Sequence, residues 1–115
     1  MKLTHTQLLP EIGVSHNTDI KKKVFIGKGS VPNLMMFGTT TFKPGQTVAT
    51  HQHETMTEVF YIQSGKADFM INNKKNIVVS GDCITIEPGE YHSMNNPYKI
   101  DTTWIYFGIA TDTKE

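Results

Sequence analysis

The amino-acid sequence predicts an all-β fold, and two observations carry this prediction. Thr, Ile and Val make up 33 of the 115 residues, whereas Leu and Ala together make up only seven. Side chains branched at Cβ favour strands over helices. Short apolar runs are also interrupted about every eight to twelve residues by Gly, Pro or Asn, a spacing typical of β-sandwiches and barrels. We therefore expect about nine short strands.

The first 23 residues are polar and weakly periodic, so we interpret them as an N-terminal arm. Such an arm is either loosely ordered or adds a strand to a neighbouring subunit, and both interpretations stay open. His5 and His16 lie in this arm and are expected at the surface. The lysine triplet Lys21–Lys23 is expected to be a solvated or an edge-protecting run rather than a binding patch.

A single domain is predicted over residues 1–115, with its barrel over residues 24–109. The apolar runs place strands at 24–27, 34–42, 48–53, 58–63, 67–71, 77–79, 83–86, 91–94 and 103–109. Asn72-Asn73 is expected to form a hairpin turn, because Asn tolerates positive φ. The other reversals are expected at Gly45, Gly65, Gly81 and Gly89. Asp82 is expected to accept turn amides, and Cys83 to be a small buried hydrophobe.

Charge and cysteine content exclude several classes of partner. Eleven Lys balance eleven Asp and Glu, and Arg does not occur. A neutral chain without guanidinium groups lacks the field that drives binding to nucleic acid. One Cys cannot form an intramolecular disulfide, and the N-terminal residues contain no apolar run suited to a signal or a membrane span. A cytoplasmic protein that binds neither nucleic acid nor membrane is expected.

A histidine and glutamate pattern indicates a metal site. His51 and His53 are two residues apart, which on a strand sends both imidazoles to one face. Glu58 begins the next apolar run, and His92 lies near another reversal. Three imidazole nitrogens and one carboxylate oxygen suit Zn, Fe, Mn, Ni, Co or Cu. The alternative is a chance pair of histidines on an exposed strand.

The spacing of these residues resembles the two sequence motifs of the cupin superfamily. The first motif runs over residues 45–65, from Gly45 through the two histidines and the glutamate to Gly65. The second runs over residues 81–96 and contains Gly81, Asp82, Pro88, Gly89, His92 and Asn96. One position departs from the family pattern, because Glu87 stands where proline is usual. The resemblance implies a jelly-roll barrel of antiparallel strands, with structural roles for the glycines and for Asn96.

The same resemblance implies that His51, His53, Glu58 and His92 bind one divalent transition metal whose identity the sequence leaves open. Cupins catalyse dioxygenation, isomerisation and lyase reactions, or bind ligands without turnover, so fold alone assigns no activity. We favour a metal-dependent enzyme of the oxygenase type, acting on a small neutral or weakly anionic molecule. Isomerase or lyase chemistry comes next, and a non-catalytic binding or sensing module is the alternative from another class.

Strand alternation indicates further residues that would lie near the metal. Phe60 and Ile62 share a face with Glu58, Met94 shares one with His92, and Trp104 lies on the last strand. Each is expected in the pocket, although core packing is the alternative for each. Tyr106 is the candidate proton-handling residue. Because the strands carrying Glu58 and Tyr106 are apolar on both faces, a homodimer is expected to cover the outer side.

Overall fold

Ten antiparallel strands build the molecule in the computed structural model, which describes residues 1–111. They are β1 (Ile12–Val14), β2 (Asn17–Ile26), β3 (Leu34–Phe42), β4 (Thr47–His51), β5 (Met56–Ser64), β6 (Lys66–Ile71), β7 (Lys74–Val79), β8 (Cys83–Ile86), β9 (His92–Asn95) and β10 (Thr102–Ala110). One 3-10 turn, Thr6–Leu8, precedes them. The predicted all-β class is confirmed. Across residues 1–111, no helix has the length and apolar character needed to cross a membrane.

The strands form two sheets that enclose the core. The six-stranded sheet has the order β1-β2-β3-β10-β5-β8, and the four-stranded sheet has the order β4-β9-β6-β7. Strands β5 and β10 bury alternate side chains, as expected for strands with one interior face. The core between the sheets consists of Ile20, Phe42, Val48, Phe60, Ile62, Ala67, Phe69, Val78, Ile86, Trp104 and Tyr106.

The reversals follow the predicted turn chemistry. Asn72 and Asn73, with φ of 49° and 67°, join β6 to β7 in a two-residue hairpin. Gly65 also has positive φ, and any Cβ at this position would overlap the backbone of Asp101 and Thr102. Asp82 accepts a hydrogen bond from the Val79 amide at 2.8 Å, which confirms the expected role of this carboxylate.

Asn96 fastens the end of β9 to two other segments. Its side-chain amide, 1% exposed, donates to the carbonyls of Phe42 and Ile100 at 2.8 Å each, and its carbonyl oxygen accepts from the Tyr98 amide at 3.0 Å. A buried amide needs such partners to offset its lost hydration. The structural role implied for Asn96 is therefore present.

The N-terminal residues differ from the expected arm. Residues 12–14 form β1, and β2 begins at Asn17, so the lysine triplet lies within a strand paired on both sides. The strand expected at 24–27 covers only the end of β2, because residues 17–23 are mostly polar and only Ile20 among them is fully buried. The hairpin of β1 and β2 adds to this chain's own six-stranded sheet. The lysines therefore do not protect an edge.

The expected burial of Cys83 is wrong, because this residue is exposed. On β8, Ile86 takes the interior face at 2% exposure and Ile84 packs partly against the core. Strand alternation then directs Cys83 and Thr85 outward. The apolar character of a thiol does not outweigh the register set by the two isoleucines.

Candidate metal centre

The four predicted ligands converge from three strands of the two sheets. His51 ends β4 and His92 begins β9, and these two residues are direct partners in the β4–β9 ladder. Their rings therefore project from the same face, with centroids 4.2 Å apart. His53 follows β4, and Glu58 reaches the cluster from β5 of the opposite sheet. One potential ligand atom from each residue lies within 4.8 Å of all the others.

Backbone carbonyls orient two of the imidazoles. His51 Nδ1 donates to the Ala49 carbonyl at 2.9 Å, and His92 Nδ1 donates to the Glu90 carbonyl at 3.0 Å. A carbonyl oxygen only accepts, so the proton must lie on Nδ1 in both neutral rings. The lone pair on each Nε2 is then free to bind a metal, the usual outer-shell arrangement of histidine ligands.

Two buried atoms of the cluster lack hydrogen-bond partners. Glu58 Oε1 lies 3.3 Å from His53 Nε2 and 3.4 Å from His92 Nε2, yet neither Glu58 Oε1 nor His92 Nε2 makes a hydrogen bond. Leaving a buried carboxylate oxygen and an imidazole nitrogen unpaired is costly. A cation among them would satisfy both atoms. The residues present thus fit a divalent transition metal held by three nitrogens and one oxygen.

The pKa values of the two oriented histidines are shifted in opposite directions by burial and by neighbouring groups. Burial, together with the surrounding imidazoles, lowers the pKa of His51 although its hydrogen bond to Ala49 opposes the change. Burial also disfavours the charged ring of His92, but the Glu58 carboxylate and the Glu90 carbonyl outweigh it and raise the pKa of His92. In the protein without metal, a proton therefore binds His92 before His51.

A cavity of about 110 Å³ opens beside the cluster. Apart from the ligands His51, His53 and Glu58, it is lined by Val14, Ser15, His16, Lys22, Met36, Thr40, Phe42, Val48, Phe60, Met94, Trp104 and Tyr106. Its wall is mostly apolar and carries a few polar side chains.

Four of the five aromatic or apolar residues expected near the metal line this cavity. Phe60, Met94, Trp104 and Tyr106 all contribute to its wall. Ile62 does not line it and lies in the core with no exposed surface. Because Ile62 is one strand repeat further from Glu58 than Phe60, the core alternative applies to it. Glu87, which precedes Pro88 in the second motif, is exposed and does not line the cavity.

Tyr106 directs a phenol into the cavity from β10. Burial and the Glu58 carboxylate raise the pKa of Tyr106 to about 12. The phenol consequently stays protonated near neutral pH and can donate a hydrogen bond to a ligand. The ring stacks on Phe60, with centroids 5.7 Å apart, which holds the phenol in position.

Sequence analysis missed the cavity residues that come from the β1–β2 hairpin, chiefly His16 and Lys22. The exposed ring of His16 stacks on His51 with centroids 4.2 Å apart and an interplanar angle of 28°. Lys22 lies opposite Thr40 in the β2–β3 ladder and is partly buried. The signal for Lys22 was strand alternation, since Ile20 is fully buried and Lys22 follows it by two residues. No sequence pattern marks His16.

Side-chain hydrogen bonds hold this hairpin against the sheet that carries two of the ligands. Asn17 Nδ2 donates to the Thr47 carbonyl of β4 at 3.0 Å, and Gln46 Nε2 donates to the Asp19 carbonyl at 3.1 Å. Gly13 permits the close approach within the hairpin, because a Cβ there would lie 2.9 Å from the Thr18 carbonyl oxygen. The hairpin therefore forms a fixed wall of the cavity.

A family model described as a cupin domain matches residues 38–108, which contain all four converging residues. The chain belongs to the cupin family. A curated relative, the oxalate-binding protein of Thermotoga maritima, is 31% identical to this cupin over 70 residues. That alignment covers 61% of this chain and 58% of the relative, so the chain spans less than two thirds of the relative's length.

Solved structures of other cupin-like proteins share the fold. A predicted oxalate decarboxylase from Thermotoga maritima superposes with a TM-score of 0.87 at 22% identity, covering 95% of this chain and 99% of that one. KdgF from Halomonas sp. superposes with a TM-score of 0.81 at 18% identity, covering 98% and 96%. At such identities the likeness establishes the fold of this cupin and not its reaction.

Proposed function

We propose that this cupin holds a divalent transition metal at His51, His53, Glu58 and His92 and acts through it on a small molecule with two oxygen donors. The observation that carries this proposal is the pair of unsatisfied buried atoms, Glu58 Oε1 and His92 Nε2, beside a cavity of about 110 Å³. When bound, the metal supplies Lewis-acid polarisation and, for Fe, Mn, Ni or Cu, redox chemistry.

The chain's own residues would position the ligand and exclude water. Phe60, Met94 and Trp104 form apolar wall, which favours a ligand whose polar atoms point toward the cluster. Tyr106 would donate a hydrogen bond rather than remove a proton, since its pKa is raised to about 12. Oxygenase chemistry is favoured over isomerase or lyase chemistry, which needs a base near neutral pH.

Ligand binding without turnover is the second candidate. The relative's name specifies oxalate binding, and oxalate presents two oxygens in a molecule small enough for the cavity. Calorimetry with oxalate and oxygen-uptake assays with small diols, diketones and phenols separate the two candidates. Binding with no product and no oxygen uptake in the Fe-, Mn- and Cu-loaded protein would overturn the enzymatic proposal.

The metal itself is tested by composition. Protein expressed with supplemented metal and dialysed is expected to contain about one divalent ion per chain, as measured by elemental mass spectrometry. His51→Ala is expected to lose this ion while its circular dichroism remains that of a folded β protein. The matched control is His5→Ala, an exposed histidine outside the cluster. Equal metal content in both variants would contradict the assigned ligands.

We also propose that the protein is a cytoplasmic homodimer. Leu3 and Leu8 are 70% and 82% exposed, and Tyr61 on the outer face of β5 is 46% exposed. Apolar surface of this kind is covered by a second copy in many small β domains. The exposed free thiol of Cys83 fits a reducing compartment. Light scattering that gives 12.9 kDa, the mass of one chain, would contradict the dimer.

A further inference from the structure

Lys22 differs from the two lysines beside it on β2. The Lys21 ammonium donates to the Thr18 carbonyl at 2.9 Å, and the Lys23 ammonium donates to the Thr6 carbonyl at 3.3 Å. In the part of the chain that the structure describes, the Lys22 ammonium has neither a hydrogen bond nor a carboxylate within ion-pair distance. Lys22 alone of the three lines the cavity beside the metal ligands.

The charged residues that line the cavity would leave it positively charged once a divalent metal is bound. Glu58 is the one carboxylate and Lys22 the one lysine among the lining residues, so these two charges cancel. A divalent metal on neutral imidazoles would then leave a net charge of two positive units within an apolar wall. Uncompensated charge in such surroundings is costly, and a dianionic ligand would neutralise it.

We infer that Lys22 selects small dicarboxylates: one pair of ligand oxygens would bind the metal, and the Lys22 ammonium would pair with the remaining negative charge. This inference rests on the proposed metal-dependent function and deepens it by naming the ligand class. Lys22 lies on the β1–β2 hairpin. The hydrogen bonds of Asn17 and Gln46 hold this hairpin against β4, and so hold Lys22 beside the cavity. The cavity of about 110 Å³ has room for a short dicarboxylate such as oxalate.

The experiment uses full-length protein loaded with Zn²⁺, which has no redox chemistry, so that binding is measured without turnover. Oxalate and oxamate are titrated by calorimetry. These two probes have nearly the same size, but in oxamate an amide replaces one carboxylate. Lys22→Met removes the cavity ammonium, Lys21→Met removes an outward ammonium from the same strand, and Lys22→Arg keeps the charge.

Lys22→Met is expected to raise the oxalate Kd by about ten- to hundredfold, the range for a lost charge-assisted hydrogen bond. Its preference for oxalate over oxamate should largely disappear, which a purely structural role of Lys22 would not cause. Lys21→Met is expected to bind like the wild type, and Lys22→Arg to retain most of the preference. Zinc stoichiometry and circular dichroism verify that every variant is folded and loaded.

Equal oxalate affinity in Lys22→Met, Lys21→Met and wild type would overturn the role of Lys22 while leaving metal-dependent binding intact. A zinc-loaded wild type that binds neither oxalate nor oxamate would overturn the dicarboxylate class, again with the metal site intact. A protein that takes up no metal would contradict the proposed function itself, and the inference would fall with it. Zinc stoichiometry distinguishes this last result from the first two.

Discussion

The metal-ligand cluster and the aromatic core share the interior between the two sheets, yet their interactions are opposite in kind. In the aromatic core, Phe42, Phe69 and Trp104 are at most 1% exposed, and the Trp104 ring lies 4.5 and 5.1 Å from the other two. Each apolar surface is satisfied by its neighbours. In the cluster, Glu58 and His92 are also buried, at 7% and 1% exposure, but leave polar atoms unpaired. The core supplies stability, and the cluster consumes part of it.

The largest expected effect is a change in the aromatic core that lowers stability and leaves metal binding unchanged. Phe69→Ala removes a fully buried ring and is expected to lower the free energy of unfolding by about 3–5 kcal/mol, as measured in urea. Metal content per folded chain should not change, because Phe69 does not line the cavity. The control, Ile77→Thr at a position 54% exposed, should stay within about 0.5 kcal/mol. Metal loss in folded Phe69→Ala would show that the regions are coupled.

The second effect is the converse, a loss of metal without a loss of stability. Glu58→Gln is expected to weaken metal binding by at least about a hundredfold, since it removes the anionic ligand. The metal-free variant should be at least as stable as metal-free wild type, because a neutral amide replaces a buried carboxylate oxygen without a partner. Glu87→Gln, at an exposed turn, is the matched control. A marked destabilisation of metal-free Glu58→Gln would mean that the cluster stabilises the fold.

The third effect concerns pH and distinguishes loaded from empty protein. Bound metal requires neutral imidazoles, so metal and its stabilisation should be lost as pH falls below about 6.5. In the empty protein, the lowered pKa of His51 gives stability that is lost as pH falls below 6.5. The raised pKa of His92 gives stability that is lost as pH rises above 6.5. The empty protein should therefore be most stable near pH 6.5, whereas the loaded protein should lose its metal and the stability that the metal confers on the acid side; thermal denaturation at several pH values measures both.

The smallest effect lies where the two regions meet, at Tyr106. Because its pKa is raised from 10.0 to about 12, folding disfavours the phenolate, and stability is lost as pH rises from about 10 toward 12. Tyr106→Phe should show a smaller loss than wild type, which urea denaturation at several alkaline pH values measures. At neutral pH the variant should differ from wild type by less than about 1 kcal/mol. Tyr91→Phe, at an exposed tyrosine, serves as control and should retain the wild-type loss.

The sequence predicted the regions whose structure depends on turn residues and on motif spacing. Turn glycines and the Asn72-Asn73 hairpin depend on φ values that few residues adopt, so their spacing outlined the strands. The histidine pair, Glu58 and His92 were proposed as ligands from motif spacing, and the structure brings one ligand atom of each within 4.8 Å of the others.

Most of the β1–β2 hairpin, residues 12–23, was missed because the contacts that fix it are not local. The hairpin is held in place by residues far away along the chain, for example by the hydrogen bond from Asn17 to Thr47. A mostly polar strand such as β2 shows no apolar alternation, although Lys22 occupies an interior position. Sequence pattern measures how apolar a face is, and it therefore overlooks a face that is polar because it lines a cavity.

Part of the cavity wall comes from a different strand than the metal ligands, and this affects how ligand recognition can change. The ligands come from β4, β5, β9 and the segment after β4, while Lys22 comes from β2. Residues on the β1–β2 hairpin can thus be exchanged without altering any atom that would touch the metal. For protein engineering, this makes the hairpin a module on which libraries can be built to change which molecule is recognised while the inorganic chemistry is inherited unchanged.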